Sequence, residues 1–428
     1  MNTAAAAGLQ AVLAGQRRRV VAHLARSLGL THLALAEDAV QAASLRALEV
    51  WPVQGLPANP AGWLYRVARH EAIDALRAGG RHDPWPEDED TAAALLPAQP
   101  AHDSRFGGEL DDEELALLFA ACHPALPVAS QVAVALRALA GLDLATIAAG
   151  LLCSEAALAQ RLARAREQIA PQQLRLPAGH ELAPRRDAVL TALSLAFHAG
   201  ARLRTRTQGE ARQAATTLCG EAIRLARALA AHPAAAHADA DALAAMLLLH
   251  GARLSGQLDE AGDIVLLPGQ PRDRWDAGMV RMGLVHLQAA QRAERLSRWH
   301  LLAGIAAEHA TAPDHARTDW ESIAGYYAWL LPLDPSAAPR LGHAVALAEA
   351  GAPQEALQRL RALAPKVPAP LRPHTLAAMA RAHERLGDID EALALLAQAA
   401  DAAPHAADAR ALRQRAQAIR SARADPAR

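Results

Sequence analysis

Between residues 33 and 50 the apolar positions Leu35, Ala39, Ala42, Ala43 and Leu48 recur at helical spacing, while Glu37, Asp38, Gln41 and Arg46 fall on the other side. That period predicts an amphipathic helix with one face turned to a core. Trp51-Pro52 is expected to end it, and VQGLPANP reads as a turn-rich loop. Asn59 is placed to cap the next helix, with Pro60 at its first position. In that helix, AGWLYRVARHEAIDALR, the side chains of Trp63, Val67, Ile73 and Leu76 are expected inward, and Arg66, Arg69, His70 and Arg77 outward.

A second module shows the same grammar. LDLATIAAGLL puts Leu144, Ile147, Ala148 and Leu151 on one face, and Ser154 is an N-cap for SEAALAQRLARAREQI. There Leu158, Leu162, Ala165 and Ile169 form the buried stripe, Ala157, Arg161, Arg164 and Gln168 share the exposed side, and Gln160 lies beside them. This is a helix-turn-helix pattern, whose second helix can enter the major groove with arginines reaching phosphates or guanine edges. The same geometry also occurs in ordinary helical cores, so the pattern alone leaves both readings open. From about residue 180 to 415, helix follows helix, broken by Pro and Gly. Residues 374–404 carry small Ala380, Gly387 at a turn, Ala392 and Ala399, and Pro404 at the end, the tetratricopeptide pattern of about 34 residues. Residues 263–275 interrupt the run with a short extended piece or loop that brings Arg272, Arg274, Trp275 and Asp276 together. That cluster is expected at an internal interface with the DNA-binding half.

Composition narrows the picture. Hydrophobic residues make up 52% of the 428, but aromatics only 3%, with Ala and Leu dominant. Those are helix formers with little β-branching, so the fold is expected to be all-α. Three cysteines exclude a disulfide scaffold and fit a reducing compartment. No run approaches the ~20 apolar residues of a membrane span, and the first small apolar run precedes its arginines, the reverse of a secretory signal. The expectation is a cytoplasmic protein with no membrane contact. Lys366 is the only lysine and no phosphate-loop glycines surround it. Nineteen histidines include no HExxH, the cysteines form no CxxC, and no nucleophile-elbow or dinucleotide fingerprint occurs. No catalytic residue, metal or cofactor is expected.

The net charge of −1 says little; its distribution says more. Arginines concentrate in residues 10–82 and at the end of 111–176, while residues 83–114 hold eleven carboxylates against Arg105 alone. The expected organisation is therefore two small Arg-bearing helical domains, 10–82 and 111–176, an acidic linker at 83–110, and a helical C-terminal domain at 180–415.

The order of these pieces resembles an extracytoplasmic-function sigma factor of the sigma-70 type. LALAEDAVQAASLRALEVWP with NPAGWLYRVARHEAIDALR is similar to region two, and DLATIAAGLLCSEAALAQRLARAR to region four. DDEELALLFAACHPALPVASQVAVALRALAGLDLATIA, then RRDAVLTALSLAFHAGA, LCGEAIRLARALA, RDRWD and TDWESIAGYYAWL, resemble the subgroup with a tetratricopeptide-like C-terminal extension. The resemblance implies partners: RNA polymerase core through its β and β′ subunits, and promoter DNA. Glu37, Asp38 and Gln41 match the side that meets the β′ clamp. Asn59, Trp63, Arg66, Arg69 and His70 match positions that melt and read the −10 element, Trp63 being alternatively a core residue. Ser154, Gln160, Arg161, Arg164 and Arg166 match positions on the −35 duplex. The linker either threads near the polymerase cleft or acts as a solvated spacer. The extension would regulate in cis, its concave surface taking a protein or peptide, or would be a purely structural array. The chain departs from the family at Leu152, where a Gly is usual, and at Ala157 and Ala159. The rival reading is a helix-turn-helix regulator with a repeat-type sensor that is not a sigma subunit; a helical scaffold with a vestigial front half is a further one.

Overall fold

The computed structural model describes residues 13, 16–17, 20–25, 28, 32–78, 112–140, 144–151, 153–169, 179–233 and 235–424. The acidic stretch 83–110 lies outside them. Among the described residues the chain forms seventeen continuous α-helices and no β-strand, the all-α class that its Ala- and Leu-rich composition predicts. Two compact units emerge. The first comprises residues 1–199 and 227–235, the second 200–226 and 236–428.

In the first unit, α1 (Leu33–Gln54) packs on α2 (Pro60–Ala78). The buried stripe of α1 is Leu33, Ala36, Glu37, Ala39, Val40, Ala43, Ala47 and Trp51. Leu48 is 36% exposed and Leu45 58%, so the face is rotated from the expected one. The reason is low contrast: apolar residues, with Leu45, Leu48 and Val53 among them, also occur on the exposed side of α1, and the period survives while its phase does not. Pro52 sits inside the last turn rather than ending the helix. Having no N–H, it donates nothing to the Leu48 carbonyl one turn earlier. The stop comes at Gly55, with φ 86°, whose N–H donates to the Trp51 carbonyl at 2.9 Å. The Asn59 cap is as expected, its Oδ1 accepting from the Gly62 N–H at 2.9 Å. In α2 the buried positions are Leu64, Tyr65, Ala68, Arg69 and Ala72, whereas Trp63, Val67, Ile73 and Leu76 are half-buried, again a rotation of the stripe.

The same unit holds α3 (Asp112–Ala121), α4 (Val128–Ala140), α5 (Leu144–Gly150) and α6 (Glu155–Ile169). Gln131 ties the α3–α4 turn, its Nε2 donating to the carbonyls of His123 (3.1 Å) and Leu126 (2.9 Å). The α5–α6 pair is held by Ile147, Ala148, Leu158, Leu162 and Ala165, all buried, whereas Leu144 and Leu151 of the expected stripe are half-buried and the side chain of Ile169 lies outside the described residues.

Helices α7 (Gly179–Arg206) and α8 (Gly209–Ala231) follow, and the division into units falls within both. The second unit continues through α9 (Ala238–Ala252), α10 (Ala277–Ala290), α11 (Arg298–Thr311), α12 (Trp320–Leu330), α13 (Ala337–Glu349), α14 (Pro353–Leu363), α15 (Arg372–Leu386), α16 (Ile389–Ala402) and α17 (Ala406–Ala424). Successive helices pack as neighbours from α11 onward. α9 is buried on nearly all sides, as its all-round apolar sequence requires, and packs on both α10 and α11. The interruption expected at 263–275 runs over 253–276, with one antiparallel bridge between Leu258 and Ile264 and short 3-10 turns. Trp275 is buried there, with the Arg272 guanidinium 4.0 Å from its ring centre and that of Arg253 5.3 Å away. Further on, Ala356, Ala380, Ala392 and Ala399 are all buried at helix contacts, and Gly387 turns α15 into α16 with φ 84°.

Small residues permit the close crossings. A Cβ on Gly200 would lie 2.8 Å from both the Ala215 carbonyl oxygen and the Cys219 Sγ. Because the first of these is backbone, the helices themselves would have to move apart. Gly200→Ala is expected to destabilise the second unit by about 1–3 kcal/mol, seen as a lower urea midpoint at unchanged slope. An unchanged midpoint would show that the crossing can relax freely.

Candidate nucleic-acid interface

The α1–loop–α2 surface presents three groups together. The capping hydrogen bond fixes Asn59 and starts α2 at Pro60. One turn on, Trp63 lies half-buried with its ring 5.3 Å from that of buried Trp51, edge to face. Arg66 and His70 are exposed and four residues apart, so they share one side of α2. No carboxylate partner of Arg66 occurs among the described residues. Around the loop, Leu45, Leu48, Val53 and Leu56 are exposed by 36–85%, an apolar margin that the rotated stripe leaves outside. Such a surface can stack on an unpaired base and hold its phosphates.

Two expected outward residues are turned in. Arg69 is 6% exposed and belongs to the buried side of α2, next to Ala68 and Ala72. Glu37 is 3% exposed. Its Oε2 accepts from the Arg137 Nε at 2.8 Å, from α4, one hundred residues away in sequence. Arg17 joins the group: burial first, and the Arg137 charge next, lower its pKa, while the Glu37 charge opposes them. Its Nη2 donates to the Gln41 Oε1 at 3.2 Å. Of the trio assigned to the polymerase clamp, Asp38 and Gln41 are exposed and Glu37 is not. The physical reason is that Glu37 lies between Ala36 and Val40 on the true buried stripe, where Arg137 supplies the counter-charge. Nothing in the local spacing marked Arg137, since ion pairs between distant segments leave no periodic trace.

The second candidate surface is α6. The Ser154 Oγ accepts from the Ala157 N–H at 3.2 Å, so Ser154 opens the helix. Gln160 and Arg164 are exposed, Arg161 is half-buried, and Ala157 and Gln168 complete the side opposite the Leu158–Leu162–Ala165 stripe. Arg161 and Arg164 have no carboxylate partner among the described residues. Arg166 lies on α6, with its side chain outside the described residues, as is Leu152. Two bare guanidiniums one turn apart, beside a glutamine amide, suit phosphate or base-edge contact in a major groove.

Among the described residues no group of three His, Cys, Asp or Glu side chains is placed to hold a metal ion, and no helix is long and apolar enough to cross a membrane. Burial raises the thiol pKa of Cys122, and that of Cys219 to about 12, which favours the protonated thiol at both.

Residues 13–82 match sigma-70 region 2, and residues 185–291 match a family of unknown function, DUF6596. The uncharacterized protein R00370 of Rhizobium meliloti (strain 1021) is 35% identical over 384 residues, covering 87% of this chain and 88% of that protein. No solved structure matches the chain significantly.

The Glu37–Arg137 pair makes a measurable claim about the first unit. Arg137→Ala would remove the Nε donor to a buried carboxylate and is expected to destabilise the unit by about 3 kcal/mol. The double variant with Glu37→Ala should recover part of that loss in a double-mutant cycle of urea unfolding. Additive losses would mean that the two side chains do not interact.

Proposed function

We propose that the chain is a sigma factor of the sigma-70 type that directs RNA polymerase core to specific promoters. The observation that carries this reading is the match of residues 13–82 to sigma-70 region 2, which spans α1, the Gln54–Asn59 loop and α2. In this reading the subgroup is the extracytoplasmic-function type with a tetratricopeptide-like extension. Asp38 and Gln41 on α1 meet the β′ clamp, where exposed charges set register more than affinity. The loop and the Trp63, Arg66 and His70 side of α2 hold the opened −10 strand, with Asn59 fixing the loop. Unstacking a base costs roughly a few kcal/mol; stacking on aromatic and guanidinium planes offsets it.

Helix α6 would take the −35 duplex through Gln160, Arg161 and Arg164, with Ser154 and Arg166 at its ends. The acidic stretch 83–110 joins the two DNA-contacting modules. The helices from α9 onward act on them in cis, and a protein or peptide partner is their proposed regulator. The protein would lend promoter binding to the polymerase in the cytoplasm and carry no chemistry of its own.

Run-off transcription from a promoter library with core RNA polymerase should yield a selected promoter class only when this chain is added. Co-purification of β and β′ is the companion result, and a chain that binds DNA but never core polymerase would be a plain helix-turn-helix regulator. Within the promoter complex, Arg161→Ala and Arg164→Ala are expected to weaken −35 duplex binding by about 1–3 kcal/mol if each contacts a base, and by less if it contacts a phosphate. Gel-shift titration reads the difference, and equal loss on all sequences marks the phosphate case.

A further inference from the structure

The second unit contains a cleft of about 500 Å³ between the end of α12, α13 and α14. That size lies within the ~300–1,000 Å³ of small-molecule sites. Its wall is partly apolar, through Leu331, Pro335 and Leu363, and partly basic, through Arg340, His343, Arg359 and Lys366. The chain's one lysine therefore stands beside two arginines on a single concave surface.

The polar groups are organised around the space. The Arg340 Nε donates to the Pro335 carbonyl at 3.0 Å, which holds the guanidinium at the rim with both Nη groups left over. Arg359 donates from Nε (3.0 Å) and Nη2 (2.6 Å) to the Glu355 Oε1, one turn earlier on α14. Lys366 has no carboxylate partner among the described residues. Three cations against one carboxylate leave an excess of two positive charges, the charge of a phosphomonoester with its sign reversed.

His343 is 7% exposed, and its Nδ1 is buried without a hydrogen-bond partner among the described residues. Burial first, and the Arg359 charge next, push its pKa below the ordinary histidine value, with Glu355 pulling the other way. A neutral imidazole thus lies among the cations that line the cleft, and it leaves the binding of an anion to the arginines and the lysine.

We propose that this cleft binds a small phosphorylated organic molecule, its phosphate held by Arg340, Arg359 and Lys366 above His343 and its apolar body against Leu331 and Leu363. The site lies wholly within the second unit, and the assignment does not depend on the sigma-factor reading, because binding is measurable without polymerase or DNA. Phenyl phosphate is a suitable probe for calorimetric titration of the full-length protein, with inorganic phosphate as the head alone.

One saturable site per chain is expected, at least tenfold tighter for phenyl phosphate than for inorganic phosphate. Arg340→Gln and Lys366→Gln, both at exposed positions, should each weaken it tenfold or more without changing the melting temperature of the free protein. Arg161→Gln and Arg164→Gln on α6 should leave it unchanged. No saturable binding, or equal binding by the Arg340 and Lys366 variants, overturns the site. Loss in the α6 variants instead would place the anion on the nucleic-acid surface and also overturn it. Equal affinity for inorganic phosphate overturns the assignment of an organic body.

Discussion

Close approach of helices through small side chains is the constraint on which the rest of this structure depends. With 3% aromatic residues, the chain has few large groups to fill space between helices. Its cores are instead made by drawing backbones together at alanine and glycine. Ala392 and Ala399 on α16, Ala380 on α15 and Ala356 on α14 are all buried by at least 98%. Gly200 has no room for a Cβ. Dispersion energy falls steeply with distance, so such faces gain their stability only when the fit is tight. Large residues then play a locating part: Tyr326 lies against Gly304, and Tyr327 against Gly342, each a knob seated in a gap where a side chain is missing.

That same economy decides what could be read from the sequence. Features with their own local chemistry were legible: the Asn59 and Ser154 caps, the Gly387 turn, most of the α5–α6 stripe, the interruption at 263–275, and the all-α class. Their signals are hydrogen-bonding side chains or leucines among polar residues, and both survive without tertiary context. The faces of α1 and α2 were read with the right period and the wrong phase. Where small alanines and apolar side chains are spread around a helix, a rotation costs little in apparent hydrophobicity, and only the packed partner fixes it. Leu48 and Arg69 changed places with respect to expectation for that one reason.

Glu37 shows a second kind of illegibility. A carboxylate on such a helix looks like a solvated residue, and its burial goes with Arg137 reaching it from α4. A buried pair of this kind contributes modest net stability, since desolvation offsets much of the attraction, yet removing either partner is costly. Its effect is to specify which faces meet. Arg381 does the same in the second unit, donating to both oxygens of Glu349 across α13 and α15.

The arginines of this nearly lysine-free chain thus sort into three environments, and the sorting separates structure from recognition. Arg137, Arg381 and Arg415 are spent on carboxylates inside the protein. Arg272 and Arg253 lie over Trp275, where the planar guanidinium packs as an aromatic neighbour would. Arg66, Arg161 and Arg164 have neither a carboxylate nor a ring partner among the described residues. Charge alone could not distinguish these groups, because all carry the same side chain at helical spacing. What distinguishes them is whether the fold has already neutralised them. A polyanion gains most from cations whose field is still directed at solvent, so the bare residues of α2 and α6 are where nucleic-acid contact is physically favoured. Phosphate contacts there would fix position, and any sequence preference must come from the few side chains that reach base edges, chiefly Gln160 and Arg161 on α6.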